Sequence, residues 1–85
     1  MLTLPDAAYV ADYVSDSLGE VKVRETSQGL EFSIGVLRAT AENFTLAESA
    51  RLELIPLTGE PVVFQLDEAG RPVSLTYGGA VFVRR

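Results

Sequence analysis

Apolar and polar residues alternate along most of the chain after Gly19. In residues 20–25, Val21 and Val23 are separated by charged side chains, and residues 30–34 alternate in the same way. A period of two is typical of a strand with one buried and one exposed face. The turn-forming residues 26–29 lie between these segments. The pattern therefore predicts a β-hairpin with a four-residue connection.

Alternation continues to the end of the chain and predicts five further strands. They are expected within residues 36–46, 51–55, 62–67, 73–77 and 80–83. Turn-forming residues recur about every 8–12 positions, a spacing typical of an antiparallel barrel or sandwich. Residues 45–51 have helical propensity, but this stretch is too short to nucleate a helix alone, so a loop or strand edge is favoured.

The N-terminal segment has a different pattern. Pro5 suits the first position of a helix, and we expect a short helical turn near residues 5–9 and a strand from about Asp12. The alternative is one helix that runs to Leu18 and is capped by Gly19.

These elements predict an all-β fold in a single domain over residues 1–85. We expect a small antiparallel β-barrel of about eight strands with a short N-terminal helical turn. Closure is favoured because it removes the exposed sheet edges that so many apolar strands would leave. An open sandwich with the N-terminal helix against one side is the alternative.

Composition mainly excludes functions. The chain has 85 residues, no cysteine and no histidine, and a net charge of -5. It therefore lacks the thiolate and imidazole ligands of zinc sites, and its charge argues against nucleic acid as a partner. The longest apolar runs are far shorter than the ~20 residues of a membrane span, so no membrane insertion is expected. We predict no metal and no cofactor.

Catalytic groups are also not predicted. The serines have no histidine to activate them, and the only lysine, Lys22, follows Gly19 by three positions, which excludes a Ser-x-x-Lys motif. Two local carboxylate pairs, Asp12 with Asp16 and Asp67 with Glu68, are interpreted as turn residues, in which aspartate caps backbone amides and glutamate faces water.

Large aromatic residues coincide with the apolar face of the predicted strands. They are Phe32, Phe64, Tyr77 and Phe82. Filling of the barrel interior is the favoured interpretation, since a small barrel needs bulky inward residues. The alternative is that they line a cavity for a small apolar ligand.

Several short segments occur in an order that resembles a known family. They are residues 9–13 (YVADY), 19–23 (GEVKV), 29–30 (GL), 64–71 (FQLDEAGR), 73–75 (VSL) and 82–84 (FVR). In this order they resemble the lipocalin-like C-terminal accessory domain of penicillin-binding-protein and β-lactamase-type serine hydrolases. Ala11 stands where the family usually has glycine, and Val73 and Leu75 are one residue closer than its Val-x-x-Leu spacing.

The resemblance implies a function as well as a lipocalin-like barrel. The chain would be a non-catalytic module, excised from the C-terminus of a longer bacterial hydrolase, in the periplasm or the cytoplasm. It would pack on the catalytic domain or on a second copy of itself and restrict access of substrates. The family's catalytic residues lie in the hydrolase domain. The alternative function is a free-standing barrel that binds a small apolar ligand.

Some apolar residues are expected on the outer face of the sheet. Val63 lies opposite Val62 and Phe64 in the alternation, and Ile55 lies opposite Leu54. In the last strand the outward residues are either Val81 and Val83 or Phe82. We predict an interface that includes Ile55 and Val63, through which the chain would form a two-fold dimer.

Overall fold

One antiparallel sheet of nine strands, preceded by a 3-10 helix, makes up most of the described chain. A computed structural model describes residues 2–43, 48–52 and 59–85. The strands are β1 (Ala11–Ser15), β2 (Gly19–Thr26), β3 (Gly29–Ile34), β4 (Leu37–Thr40), β5 (Glu42–Asn43), β6 (Ser49–Leu52), β7 (Glu60–Leu66), β8 (Pro72–Tyr77) and β9 (Ala80–Arg84). The helix spans Asp6–Tyr9.

The two ends of the sheet are consecutive parts of one chain segment. The strand order is β4-β3-β2-β1-β9-β8-β7-β6-β5, and only Ala41 separates β4 from β5. The Ala41 N–H donates to the carbonyl of Leu30 (2.8 Å), which extends the pairing of β4 with β3. The segment that contains β4 and β5 therefore acts as one strand, which pairs with β3 at one end of the strand order and with β6 at the other. Counted in this way, eight strands form a nearly closed barrel. The predicted all-β barrel of about eight strands is confirmed.

Short hairpins connect the strands. Thr26 still pairs with Gly29, so Ser27 and Gln28 alone connect β2 to β3, and the predicted four-residue connection was wrong. The β8–β9 hairpin turns at Gly78 and Gly79, whose φ angles are 59° and 79°. Two consecutive positive φ angles are the requirement of a type I′ turn, which glycine meets without steric cost.

The N-terminal segment forms the predicted short helical turn, and the long-helix alternative is not adopted. Ala11–Ser15 pairs with both β2 and β9, so it is held as a strand on both sides. The 3-10 helix buries Tyr9 against Phe64, with ring centroids 4.7 Å apart. The helix thereby closes one end of the barrel.

The strands expected within residues 36–46 and 51–55 are each described only in part. Gly35 and Val36 form the β3–β4 turn, so the strand expected within residues 36–46 begins at Leu37. Residues 49–52 are a strand, as favoured over a helix, whereas residues 44–47 and 53–58 lie outside the described part of the chain.

The barrel interior is filled with side chains. The buried hydrophobic residues are Tyr9, Tyr13, Val21, Val23, Leu30, Phe32, Ala50, Leu52, Val62, Phe64, Leu75 and Phe82. The Phe64 ring lies at their centre, 5.7 Å from that of Tyr13 and 6.0 Å from that of Phe32. Phe32, Phe64 and Phe82 thus point inward as expected, while Tyr77 is only partly buried.

Candidate docking face

Four valines project from the outer surface of neighbouring strands and form what we call the valine patch. They are Val14, Val63, Val81 and Val83. Val83 in β9 pairs with Val14 in β1, and Val81 pairs with Thr76 in β8, which in turn pairs with Val63 in β7. Cross-strand partners project to the same face of a sheet. The patch therefore spans four adjacent strands.

The centre of the patch is open to solvent. Val81 is 55% exposed and Val83 is 58% exposed, whereas Val14 and Val63 are half-buried. Strand alternation causes this, because Phe82 between the two valines points into the core and is 3% exposed. The two possibilities left open for the last strand are thereby decided in favour of outward Val81 and Val83.

The predicted interface residues are placed unequally. Val63 lies on the outer surface, as the alternation predicted, but at the margin of the patch. Ile55 lies outside the described residues. The most exposed residues of the valine patch are thus Val81 and Val83 in β9 rather than Val63.

Ion pairs border the patch on the β1–β2 side. Arg24 Nη2 donates to Asp12 Oδ1 (2.6 Å), and Arg85 Nη2 contacts both Asp12 Oδ2 (3.5 Å) and the Glu20 carboxylate. The hydrogen bond from Arg24 is the main reason that the pKa of Asp12 lies below its ordinary value. An apolar centre with a charged border is the usual arrangement of a protein interface.

One residue of each carboxylate pair, Asp12 and Asp67, makes structural contacts. Asp67 Oδ1 accepts hydrogen bonds from the backbone N–H groups of Ala69 and Arg71, both at 2.9 Å, and these lower the pKa of Asp67. This is the turn-capping role predicted for it. The turn interpretation was wrong for Asp12, which lies in β1 and pairs with arginines; Asp16 lies in the β1–β2 turn.

A hydrogen-bonded latch that the sequence did not reveal holds the 3-10 helix in place. The Tyr9 hydroxyl donates to Glu48 Oε2 (2.6 Å), and the Thr3 hydroxyl donates to the other carboxylate oxygen of Glu48. The Leu4 N–H donates to the Tyr9 hydroxyl (3.1 Å). We call these contacts the Tyr9–Glu48 latch.

Glu48 has an unusual backbone conformation. Its φ angle is 56°, in the left-handed region that residues with a side chain rarely adopt. Its carbonyl accepts a hydrogen bond from the Phe64 N–H (2.7 Å), so the backbone joins β7 while the carboxylate reaches the N-terminal segment. The alternation of apolar and polar residues does not predict the hydrogen bond between Tyr9 and Glu48, because the two residues are 39 positions apart in the sequence.

The charge state of the Tyr9–Glu48 latch follows from the pKa values of its two side chains. Burial by itself raises the pKa of Glu48, but the hydrogen bonds from Thr3 and Tyr9 outweigh it, and the pKa lies below its ordinary value of 4.5. Burial raises the pKa of Tyr9 above 10.0, and the hydrogen bond to Glu48 adds to the rise. At neutral pH the latch therefore joins a carboxylate to a protonated phenol.

Comparison with known proteins assigns no family to the chain, and the described residues form no metal site. No protein-family model, curated protein or solved structure matches the chain. In residues 2–43, 48–52 and 59–85, no group of three or more acidic side chains is placed to hold a metal ion. The same described residues contain no helix of the length and apolarity needed to cross a membrane.

Proposed function

We propose that this chain is a non-catalytic docking domain of a β-lactamase-related serine hydrolase. It packs through the valine patch on the catalytic domain or on a neighbouring subunit, and so restricts the access of substrates to the active site. The order of segments that resembles the accessory domain of such hydrolases supports this assignment, and the exposed patch supplies the surface it requires.

The observation that carries the proposal is the exposure of Val81 and Val83 beside each other in the middle of the sheet. In β2, by contrast, the outward positions carry the charged residues Glu20, Lys22 and Arg24. Contiguous exposed apolar residues with a polar border are typical of interaction sites. Docking explains why this part of the sheet carries valines.

The packed interior favours docking over the alternative function, a small apolar ligand inside the barrel. Aromatic rings from the 3-10 helix, β1, β3 and β7 meet at the centre of the interior. Every buried side-chain nitrogen or oxygen of the described residues has a hydrogen-bond partner. An apolar ligand would have to displace aromatic side chains that already contact one another.

The most direct test of the hydrolase assignment is the coding sequence upstream of this chain. We expect the reading frame to continue and to encode Ser-x-x-Lys and Tyr-x-Asn motifs. A stop codon immediately upstream, with no such hydrolase encoded nearby, would contradict the assignment. The purified 85-residue chain should not turn over ester, β-lactam or D-aminoacyl substrates, and turnover abolished by a serine substitution in the chain would overturn its non-catalytic role.

A further inference from the structure

A groove at the plugged end of the barrel differs in chemistry from the valine patch. It has a volume of about 540 Å³ and lies between the 3-10 helix and the β7–β8 turn. Its walls are largely apolar, formed by Leu4, Ala7, Ala8, Pro72 and Val73. A volume of this size is within the range of small-molecule sites, roughly 300–1,000 Å³.

A fixed guanidinium group lies in the wall of this groove. Arg84 Nη1 donates to the carbonyls of Ala8 (3.2 Å) and Pro72 (3.0 Å), and Nη2 donates to the carbonyl of Val10 (3.3 Å). Carbonyl oxygens orient the group without neutralising its charge. No described carboxylate lies within ion-pair distance of Arg84, in contrast to Arg24, Arg71 and Arg85.

The other charges of the groove balance each other. Arg71 Nε lies 3.4 Å from Asp67 Oδ2, and Asp67 Oδ1 is occupied by two backbone N–H groups. Two arginines and one aspartate line the groove, so one positive charge remains, and it belongs to Arg84. This local charge is opposite in sign to the net charge of the chain, which is -5.

We infer that the groove binds a small apolar carboxylate. The carboxylate accepts charge-assisted hydrogen bonds from the N–H groups of Arg84 that the backbone carbonyls leave free, because guanidinium and carboxylate have matching geometry. The apolar part of the ligand lies against Ala7, Ala8 and Val73. This site is outside the barrel interior and apart from the valine patch, so it does not depend on the docking proposal.

Three probe ligands separate the contributions that the charge and the apolar chain of the ligand make to binding. We would titrate the ¹⁵N-labelled 85-residue chain with octanoate, octanol and acetate and follow the backbone amide resonances. Octanoate should bind with a dissociation constant of about 1 mM, as expected for a ligand of this size. It should shift the amides of Ala7, Ala8 and Val73, and octanol and acetate should each bind at least tenfold more weakly.

Two substitutions at exposed valines provide a matched comparison. Val73→Asp places a carboxylate in the groove and should weaken octanoate binding at least tenfold, whereas Val36→Asp, in the β3–β4 turn, should not. Both residues are exposed, at 38% and 95%, so both variants should fold. Arg84→Gln should abolish the preference for octanoate over octanol. Equal binding of octanoate and octanol, or unchanged octanoate binding in Val73→Asp, would overturn the inference.

Discussion

The inner and outer faces of strand β9 are both apolar, but only the inner face is covered in the described structure. Phe82 in β9 is 3% exposed, as is Phe64 in β7. Val81 and Val83, on the other face of β9, are more than half exposed. In β2 the corresponding outer positions carry Glu20, Lys22 and Arg24. Alternation therefore explains which strand side chains enter the core, and the outer valines are the residues that we propose bind a partner.

The inner face should dominate stability. Phe64→Ala should reduce the free energy of unfolding by about 3–5 kcal/mol, because it removes the ring that contacts Tyr9, Tyr13 and Phe32. The neighbouring Val63→Ala, on the outer face, should cost about 1 kcal/mol or less. Urea unfolding measures both. Equal midpoints for Phe64→Ala and the parent chain would show that the inner face does not hold the fold.

Breaking the Tyr9–Glu48 latch should have the next largest effect on the free energy of unfolding. Tyr9→Phe keeps the ring contact with Phe64 but leaves the Glu48 carboxylate without its phenol donor. We expect a loss of about 1–3 kcal/mol, as is typical when a hydrogen bond to a charged group is removed. Tyr77→Phe is the matched control, since no described residue hydrogen-bonds to the Tyr77 hydroxyl. A similar loss in both variants would contradict the role of the latch.

The latch should also make stability depend on pH. Because the pKa of Glu48 is lowered in the folded state, its contribution is present above about pH 5 and is lost as the pH falls through the folded pKa, below 4.5. Because the pKa of Tyr9 is raised above 10.0, the contribution of its protonated phenol is present below about pH 10 and is lost in more alkaline solution.

Glu48→Gln tests this dependence, because it retains an acceptor for the Tyr9 hydroxyl but cannot titrate. Thermal unfolding between pH 3 and pH 7 should fall less steeply towards acid in Glu48→Gln than in the parent chain. Some acid sensitivity should remain, since the pKa values of Asp12 and Asp67 are also lowered. Identical profiles for variant and parent would exclude the latch as a titrating contact.

The outer face should have the smallest effect on stability. Val81→Lys and Val83→Lys should each change the free energy of unfolding by less than about 1 kcal/mol, because both side chains already contact solvent. Urea unfolding is again the measurement. A loss comparable to that of Phe64→Ala would mean that these valines belong to the core, and the contrast between the two faces would disappear.

Local patterns were sufficient to predict most of the described strands, because alternation and turn residues act over a few positions. The hairpin of β2 and β3 and the inward direction of Phe64 followed from them. They did not predict the length of the β2–β3 turn, since Thr26 continues the ladder by pairing with Gly29. They also missed the Tyr9–Glu48 latch and the position of Arg84, which bring together residues distant in sequence.

The contrast also shows why the sequence predicted only some residues of the proposed docking face. Alternation assigned Val63 to the outer face, but it left two possibilities for β9, because residues 81–83 are all apolar. Pairing of Val83 with Val14 and of Val81 with Thr76 fixes their direction. The pairing of β9 with its neighbouring strands therefore determined which of its residues point outward, whereas the sequence of β9 alone did not.

Sedimentation equilibrium over a concentration series up to about 1 mM tests the central claim, that the valine patch is a docking surface. Small interfaces bind weakly, so the free chain should associate only towards the upper end of this range. Association should be lost in Val81→Lys and in Val83→Lys but retained in Val36→Lys, which adds the same charge at an exposed valine outside the patch. A parent chain that stays monomeric throughout, or association unchanged in the patch variants, would contradict the account.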